Sequence, residues 1–102
     1  DGPAGEFLAF AKVANKLPDI DNLIAKPETY MPSEDPAVLY ALTGAISARA
    51  EESKMENIMK LTLKLPTEFQ VVLVKGMLAV DRNLINHDTM TKWIEKNSQV
   101  VL

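Results

Sequence analysis

The chain contains no cysteine among its 102 residues. This absence excludes disulfide bonds, a cysteine nucleophile and thiolate metal ligands, and it is typical of proteins from a reducing compartment. We therefore expect a cytoplasmic protein. Histidine is almost as scarce, because His87 is the only one. A single histidine without cysteine argues against a zinc site, and the sequence predicts no metal-binding residue.

Long apolar runs and an excess of basic residues are also absent. No run approaches the roughly 18 apolar residues of a membrane-spanning helix, and no charged and then apolar leader indicates a signal peptide. The net charge is −3. The chain therefore lacks the excess of basic residues that would predict nucleic acid as its main partner. Hydrophobic residues make up 47% of the chain and charged residues 25%, as in ordinary soluble domains. We expect one domain (residues 1–102) with neither a membrane nor a nucleic acid as its partner.

Apolar residues recur at helical spacing along most of the chain, and no pair of segments has the pattern of partner strands. The pattern predicts an all-α fold, a compact bundle of five or six helices with the helix of residues 65–80 at its centre. Helices are predicted at residues 4–17, 19–25, 36–51, 65–80 and 88–98, with one more between residue 53 and Pro66. The apolar stripe of the first helix consists of Phe7, Phe10, Ala11, Ala14 and Leu17.

Capping signals set several of these boundaries. Asp35 is a good N-cap before Pro36, which suits the first helical position because its missing N–H is not needed there. Ser53 and Glu56 have the spacing of a capping box, in which a hydroxyl and a carboxylate bond two otherwise unpaired N–H groups. Residues 26–34 are predicted to form an ordered surface loop, and residues 81–87 a polar turn.

The stretch Val71-Val72-Leu73-Val74 resembles a buried strand. Three observations favour a helix: Pro66 and Glu68 are start signals, roughly 15 residues pass without a turn signal, and no partner strand exists. A helix that is apolar nearly all round is typical of the centre of a bundle.

Side chains that could carry chemistry have structural explanations at this level. His87 lies in a polar turn beside Asp88, which favours a structural or solvent-exposed role. Acid–base catalysis by paired carboxylates would need a pocket that separates their pKa values, whereas the acidic clusters lie at predicted helix ends, where caps and the helix dipole account for them. These clusters are Asp19/Asp21, Glu34/Asp35 and Glu51/Glu52.

The remaining candidate side chains also have structural explanations. Arg49 and Arg82 are the only arginines; either could reach a nucleotide in a neighbouring subunit, but an exposed helix-end role is favoured. The serines lack the sequence context of a nucleophile elbow, and the lysines at i, i+4 spacing predict exposed helix faces. The methionines could line a peptide groove, although the helical spacing of three of them favours the core. These residues are Ser33, Ser47, Ser53 and Ser98, then Lys12, Lys16, Lys60 and Lys64, and then Met31, Met55, Met59, Met77 and Met90.

No phosphate-binding G-x-x-x-x-G-K-[ST] motif is present, and the four glycines are scattered. The residues themselves therefore favour a non-catalytic helical module, with a packing or an interaction role. No catalytic or cofactor-binding residue is predicted.

Several stretches together resemble the C-terminal region of bacterial MoxR-type AAA+ ATPases. The resemblance covers most of the chain, in order and with similar spacing, and it includes a tryptophan near an apolar end at residues 93–102. No single piece is a catalytic signature, so the combined pattern carries the resemblance. The other pieces are AGEFLAF (residues 4–10), LPDIDNLIAKPE (17–28), PSEDPAVLYALTGAISARA (32–50) and LPTEFQVVLVKGML (65–78).

The resemblance implies an ATP-driven, chaperone-like ring machine, often working beside a partner with a von Willebrand factor A domain. In that family an N-terminal α/β domain carries the Walker motifs and binds ATP and Mg²⁺, and the sensor-2 arginine lies near the start of the helical lid. Neither Arg49 nor Arg82 has the sensor-2 context, so no nucleotide-binding residue is carried over. The chain starts Asp1-Gly2-Pro3 instead of with methionine, and we expect it to be the excised C-terminal domain of such an ATPase. Its partners would be the rest of that ATPase and neighbouring subunits of the ring.

Two other classes remain as alternatives. The first is a free-standing helical adaptor that binds a peptide or a partner helix. The second is a small helical enzyme, which would need a pocket with converging polar groups that the sequence does not offer.

Overall fold

The structure is a computed structural model, and it describes residues 16–101. Five α-helices and a final helical turn make up most of this range. The helices are α1 (Ile20–Ala25), α2 (Pro36–Ser47), α3 (Met55–Leu63), α4 (Thr67–Val80) and α5 (Asp88–Lys96), followed by the turn α6 (Ser98–Val101). Short 3-10 helices connect them at Pro27–Thr29, Glu52–Lys54 and Arg82–Asn86. No residue of this range lies in a strand, and the predicted all-α bundle is confirmed.

Helix α4 lies at the centre of the bundle, as predicted. Leu73, Val74 and Met77 are almost completely buried, at 0 to 1% exposure, and α4 makes its most extensive contact with α2. The β-branched run is therefore helical because packing of its buried face outweighs its weak intrinsic helix propensity. Residues of all five helices contribute to one hydrophobic cluster.

Helix α2 begins where its caps predict and ends earlier than expected. The Asp35 carboxylate accepts a hydrogen bond from the backbone N–H of Ala37 at 3.0 Å, with Pro36 in the first position. The helix was predicted to reach residue 51 but ends at Ser47. Beyond Ser47 the backbone changes to turn hydrogen bonds, and the N–H of Arg49 donates to the carbonyl oxygen of Ile46. The Arg49 guanidinium also donates to the carbonyl oxygen of Ala45 at 2.9 Å, so that it caps the C-terminus of α2.

The predicted capping box at α3 is wrong. Ser53 lies in a 3-10 helix, and its hydroxyl donates to the Glu51 carboxylate at 3.0 Å instead of capping α3. Helix α3 starts two residues later at Met55 without any side-chain cap. Met55 is fully buried, so burial of an apolar side chain fixes this start instead of hydrogen bonding.

The remaining boundaries differ from the prediction by small amounts. The predicted polar turn of residues 81–87 is a 3-10 helix, held by Leu84 in the core at 2% exposure. Helix α5 ends at Lys96 instead of at residue 98. Most of the first predicted helix (residues 4–17) lies outside the described residues. Lys16 is in a turn and Leu17 in irregular chain, so no helix extends to Leu17. No helix within residues 16–101 is both long and apolar enough to cross a membrane.

Candidate functional site

His87 and Arg49 both have structural contacts. The Nδ1 atom of His87 accepts a hydrogen bond from the backbone N–H of Thr89 at 3.2 Å, so the ring caps the start of α5. Arg49 pairs with Asp21 at 3.0 Å, in addition to its bond to the Ala45 carbonyl, and so links α1 to the end of α2. Arg82, by contrast, is exposed in the 3-10 helix after α4.

The acidic clusters are not brought together in one pocket. Asp19 and Asp35 cap α1 and α2, respectively, and the carboxylate of Asp19 accepts from the backbone N–H of Asn22 at 3.3 Å. Glu51 lies 3.7 Å from Lys54 in an ion pair within one turn. Among the described residues, no group of three or more acidic or histidine side chains could hold a metal ion.

Four of the five methionines are core residues. Met55, Met77 and Met90 are fully buried and Met59 is 5% exposed, which confirms the core interpretation of those at helical spacing. Met31 is different, because it is 85% exposed in the loop before α2. A continuous methionine-lined groove therefore does not form.

Lys64 has a role that its sequence pattern did not reveal. Its ammonium group donates to the carbonyl oxygens of Pro27 at 3.0 Å, Glu28 at 3.2 Å and Tyr30 at 3.0 Å. These three carbonyls belong to the 3-10 helix and loop more than 30 positions earlier in the chain. Lys64 therefore fixes that loop against the end of α3, where the i, i+4 spacing predicted only an exposed face.

Tyr30 is a second residue that sequence reasoning missed. The loop was predicted to lie on the surface, yet Tyr30 is only 7% exposed, and its hydroxyl has no hydrogen-bond partner among the described residues. Burial raises the pKa of Tyr30, and the nearby backbone N–H of Ser33 partly offsets that rise. The ring lines an open cleft of about 370 Å³ together with Lys16, Asp19 and Asn22.

A buried pair also joins α5 to α4. The indole N–H of Trp93 donates to the side-chain oxygen of Gln70 at 2.9 Å, and the amide nitrogen of Gln70 donates to the carbonyl of Leu65 at 2.8 Å. Trp93 is 3% exposed. A buried indole N–H needs such a partner, so this contact explains the tryptophan as a structural residue.

The first of two grooves on the bundle lies between α2 and α4 and is almost entirely apolar. We call it the Tyr40 groove; its volume is about 480 Å³, and Tyr40, Ala41, Gly44, Ala45, Val72 and Gly76 line most of it. Thr43 and Ser47 also contribute, but their hydroxyls donate to α2 carbonyls at 2.6 and 2.7 Å. The groove therefore offers shape and apolar area, with little capacity to recognise a polar ligand.

The second groove lies between α3 and α5, and we call it the Leu63 groove. It measures about 410 Å³ and combines an apolar base with charged edges. Leu63 is 66% exposed. Lys92 pairs with Asp88 at 3.0 Å, and this contact raises the pKa of Lys92. The other charged lining residues are Glu56, Lys60 and Lys96.

Comparisons with protein-family models, curated proteins and solved structures found no match to this chain. Most candidate side chains named from the sequence serve as caps, ion pairs or core residues. Among the clefts lined by the described residues, the Tyr40 groove and the Leu63 groove have the more apolar linings, and they are the candidate surfaces for function.

Proposed function

We propose that this chain is the non-catalytic C-terminal helical domain of a MoxR-type AAA+ ATPase, a chaperone-like machine of the cytoplasm. The proposal is supported by the positions in the fold of the stretches that resemble this family. Residues 32–50 contain α2 and residues 65–78 most of α4, and these two helices form the most extensive helix pair. Residues 17–28 contain α1, which adds Leu23 and Ile24 to the core.

In this proposal the domain acts through its surfaces. The Tyr40 groove offers apolar area for packing against the helical lid or a neighbouring subunit of the ring. The Leu63 groove combines apolar area with charged edges, which suits transient binding of a partner such as a protein with a von Willebrand factor A domain. ATP and Mg²⁺ would bind elsewhere in the longer chain, and the domain itself would hold neither.

The coding sequence upstream of Asp1 gives the sharpest test. The proposal expects a Walker A motif and a Walker B motif in the same reading frame, followed by an arginine near the start of the lid. A start codon immediately before Asp1 would overturn it.

Nucleotide binding provides a solution test on the 102-residue chain. Amide NMR spectra recorded during a titration with ATP and Mg²⁺ should show no saturable shift up to millimolar nucleotide. Affinity in the micromolar range would contradict the proposal, because the domain would then contain a nucleotide site of its own. Charge effects on exposed lysines are controlled by the same titration with inorganic triphosphate.

The second candidate is a free-standing helical adaptor, and the Leu63 groove is the observation that favours it. A partner helix could place an apolar face over Leu63 and acidic residues near Lys60 and Lys96. Leu63→Glu should then abolish binding of the partner while leaving the fold intact, since Leu63 is largely exposed. The gene distinguishes this candidate from the first, because an adaptor needs no Walker motifs upstream.

A further inference from the structure

Helices α3 and α5, which form the two sides of the Leu63 groove, run side by side in the same direction. Glu52 precedes α3 and His87 precedes α5, and both line one small cleft, so the starts of the two helices lie together. Their later parts are joined through Gln70, which accepts from the indole of Trp93 and donates to the carbonyl oxygen of Leu65, just after α3. Because both helices start at one end of the groove and finish at the other, the groove has a direction.

The charged side chains of the groove are divided along this direction. Glu56 and Asp88 lie in the first turns of α3 and α5, whereas Lys60 and Lys96 lie in the last turns of the same two helices. All four are exposed with respect to the described part of the chain. Within residues 16–101, Asp88 is the one member of the four with an ion-pair partner, Lys92. The groove is therefore acidic at the end where its helices start and basic at the end where they finish.

Apolar area connects the two charged ends. Met59 and Leu63 are four residues apart on α3, so they lie on the same side of that helix, and Trp93 contributes from α5. Each of the two helices has nine residues, which corresponds to about 13 Å, or two and a half turns. The groove thus has the length for two or three apolar side chains on successive turns of one short helix.

We propose that the Leu63 groove binds an amphipathic helix of a partner protein that runs antiparallel to α3 and α5, with acidic residues in its first turn and basic residues in its last. Its first turn would lie against Lys60 and Lys96, and its last turn against Glu56 and Asp88.

Charge complementarity and helix dipoles both favour this direction. Unlike charges meet at each end of the groove, and a helix with acidic residues first and basic residues last is also stabilised by its own dipole. An antiparallel helix opposes the dipoles of α3 and α5, whereas a parallel helix would align with them. The inference rests on the proposal that the Leu63 groove is a docking surface, and it applies to either candidate function.

Paramagnetic NMR with a designed peptide tests the direction. The probe is a helix of about four turns, roughly 14 residues, with glutamates in the first turn, leucines along one face and lysines in the last turn. A nitroxide on the first turn should broaden the amide signals of Leu63 and Lys96 and spare those of Glu56 and Asp88, and a nitroxide on the last turn should do the opposite. The reversed pattern, or equal broadening at both ends, would overturn the inference while leaving the groove as a docking surface.

Charge reversal tests the basic end. Lys60→Glu with Lys96→Glu should weaken binding of the peptide on the order of tenfold, measured by isothermal titration calorimetry. The control Lys26→Glu with Lys75→Glu makes the same change in net charge at exposed positions outside the groove and should stay within about twofold. Equal weakening in both double variants would contradict the inference, because net charge alone would then control binding.

A second peptide and the unmodified chain complete the test. A peptide with lysines in place of the first-turn glutamates should reverse the preference and bind the Lys60→Glu, Lys96→Glu variant more tightly than the natural chain. If neither peptide bound the natural chain saturably up to millimolar concentration, both the inference and the docking role of the groove would be refuted. The ATPase proposal is decided separately, by the coding sequence upstream of Asp1.

Discussion

At Gly76, helix α4 approaches α2 closely, and replacing this glycine with alanine tests the packing. An added Cβ would lie 2.5 Å from the hydroxyl oxygen of Ser47 and 3.3 Å from its Cβ. Ser47 is 8% exposed, and its hydroxyl donates to the Thr43 carbonyl at 2.7 Å. The hydroxyl cannot move aside without losing that hydrogen bond. Gly76→Ala therefore forces either a broken bond or a shift of one helix.

Gly44 provides the matched control. It is also inside a helix, but an added Cβ would meet no atom of residues 16–101 within 4 Å. Replacing a helical glycine with alanine gains about 1 kcal/mol in helix propensity. Gly44→Ala should therefore be neutral or stabilising by up to about 1 kcal/mol.

The same gain applies at Gly76, but the contact opposes it. A shift of one helix costs about 1–3 kcal/mol, as overpacking of a tight contact does. Breaking the Ser47 hydrogen bond instead costs about 1 kcal/mol and leaves the 3.3 Å contact with the Ser47 Cβ in place. The balance predicts that Gly76→Ala is about 2 kcal/mol less stable than Gly44→Ala. For a domain of this size that difference corresponds to a melting temperature lower by roughly 10 °C.

Thermal and urea unfolding followed by circular dichroism at 222 nm measure this difference. The double variant Ser47→Ala with Gly76→Ala should recover about 1 kcal/mol, because the hydroxyl oxygen that clashes is gone. If Gly76→Ala were as stable as Gly44→Ala, the close approach of α2 and α4 would be refuted.

Three further changes test other contacts by the same unfolding measurement. Lys64→Met removes three hydrogen bonds to loop carbonyls and should cost about 1–2 kcal/mol. Lys60→Met, at an exposed position, should stay within about 0.5 kcal/mol, and equal losses would contradict the role of Lys64. Leu73→Asp buries a charge at a fully buried position and should abolish the helical spectrum at 25 °C, whereas Leu73→Met should cost less than about 1.5 kcal/mol; unchanged melting of the aspartate variant would show that α4 is not central. Burial raises the pKa of Tyr30 in the folded state, so the neutral ring is the form that folding favours, and its contribution is complete below the ordinary pKa of about 10 and lost as pH rises through the higher folded value. Tyr30→Phe should weaken this alkaline loss of stability and Tyr40→Phe, at an exposed ring, should not; the same loss in both variants would contradict it.

The sequence predicted those parts of the fold that depend on local pattern. Asp35 with Pro36 located the start of α2, and the length of the apolar run identified α4 as a helix despite its valines. Both signals act within one or two turns, so they can be recognised without knowing any tertiary contact.

The wrong or missing predictions depend on contacts between distant residues. The Ser53 capping box failed because burial of Met55 starts α3 later. Arg49 folds back over the end of α2, and Asp21 of α1 accepts a hydrogen bond from its guanidinium. The contacts of Lys64 depend on a loop more than 30 positions away. Each side chain had a plausible local interpretation, and only the assembled bundle shows which partner it has.

The sequence did not reveal the two grooves, and the reason is related. Helix α4 is apolar nearly all round, and the sequence suggested that the whole circumference serves the core. The structure divides that circumference: Leu73, Val74 and Met77 fill the core, while Val72 and Gly76 face the Tyr40 groove. An apolar arc that the core does not use still gains free energy by leaving water, at roughly 25 cal/mol per Å². An apolar arc on α4 that the core formed by residues 16–101 does not use therefore indicates a further packing partner.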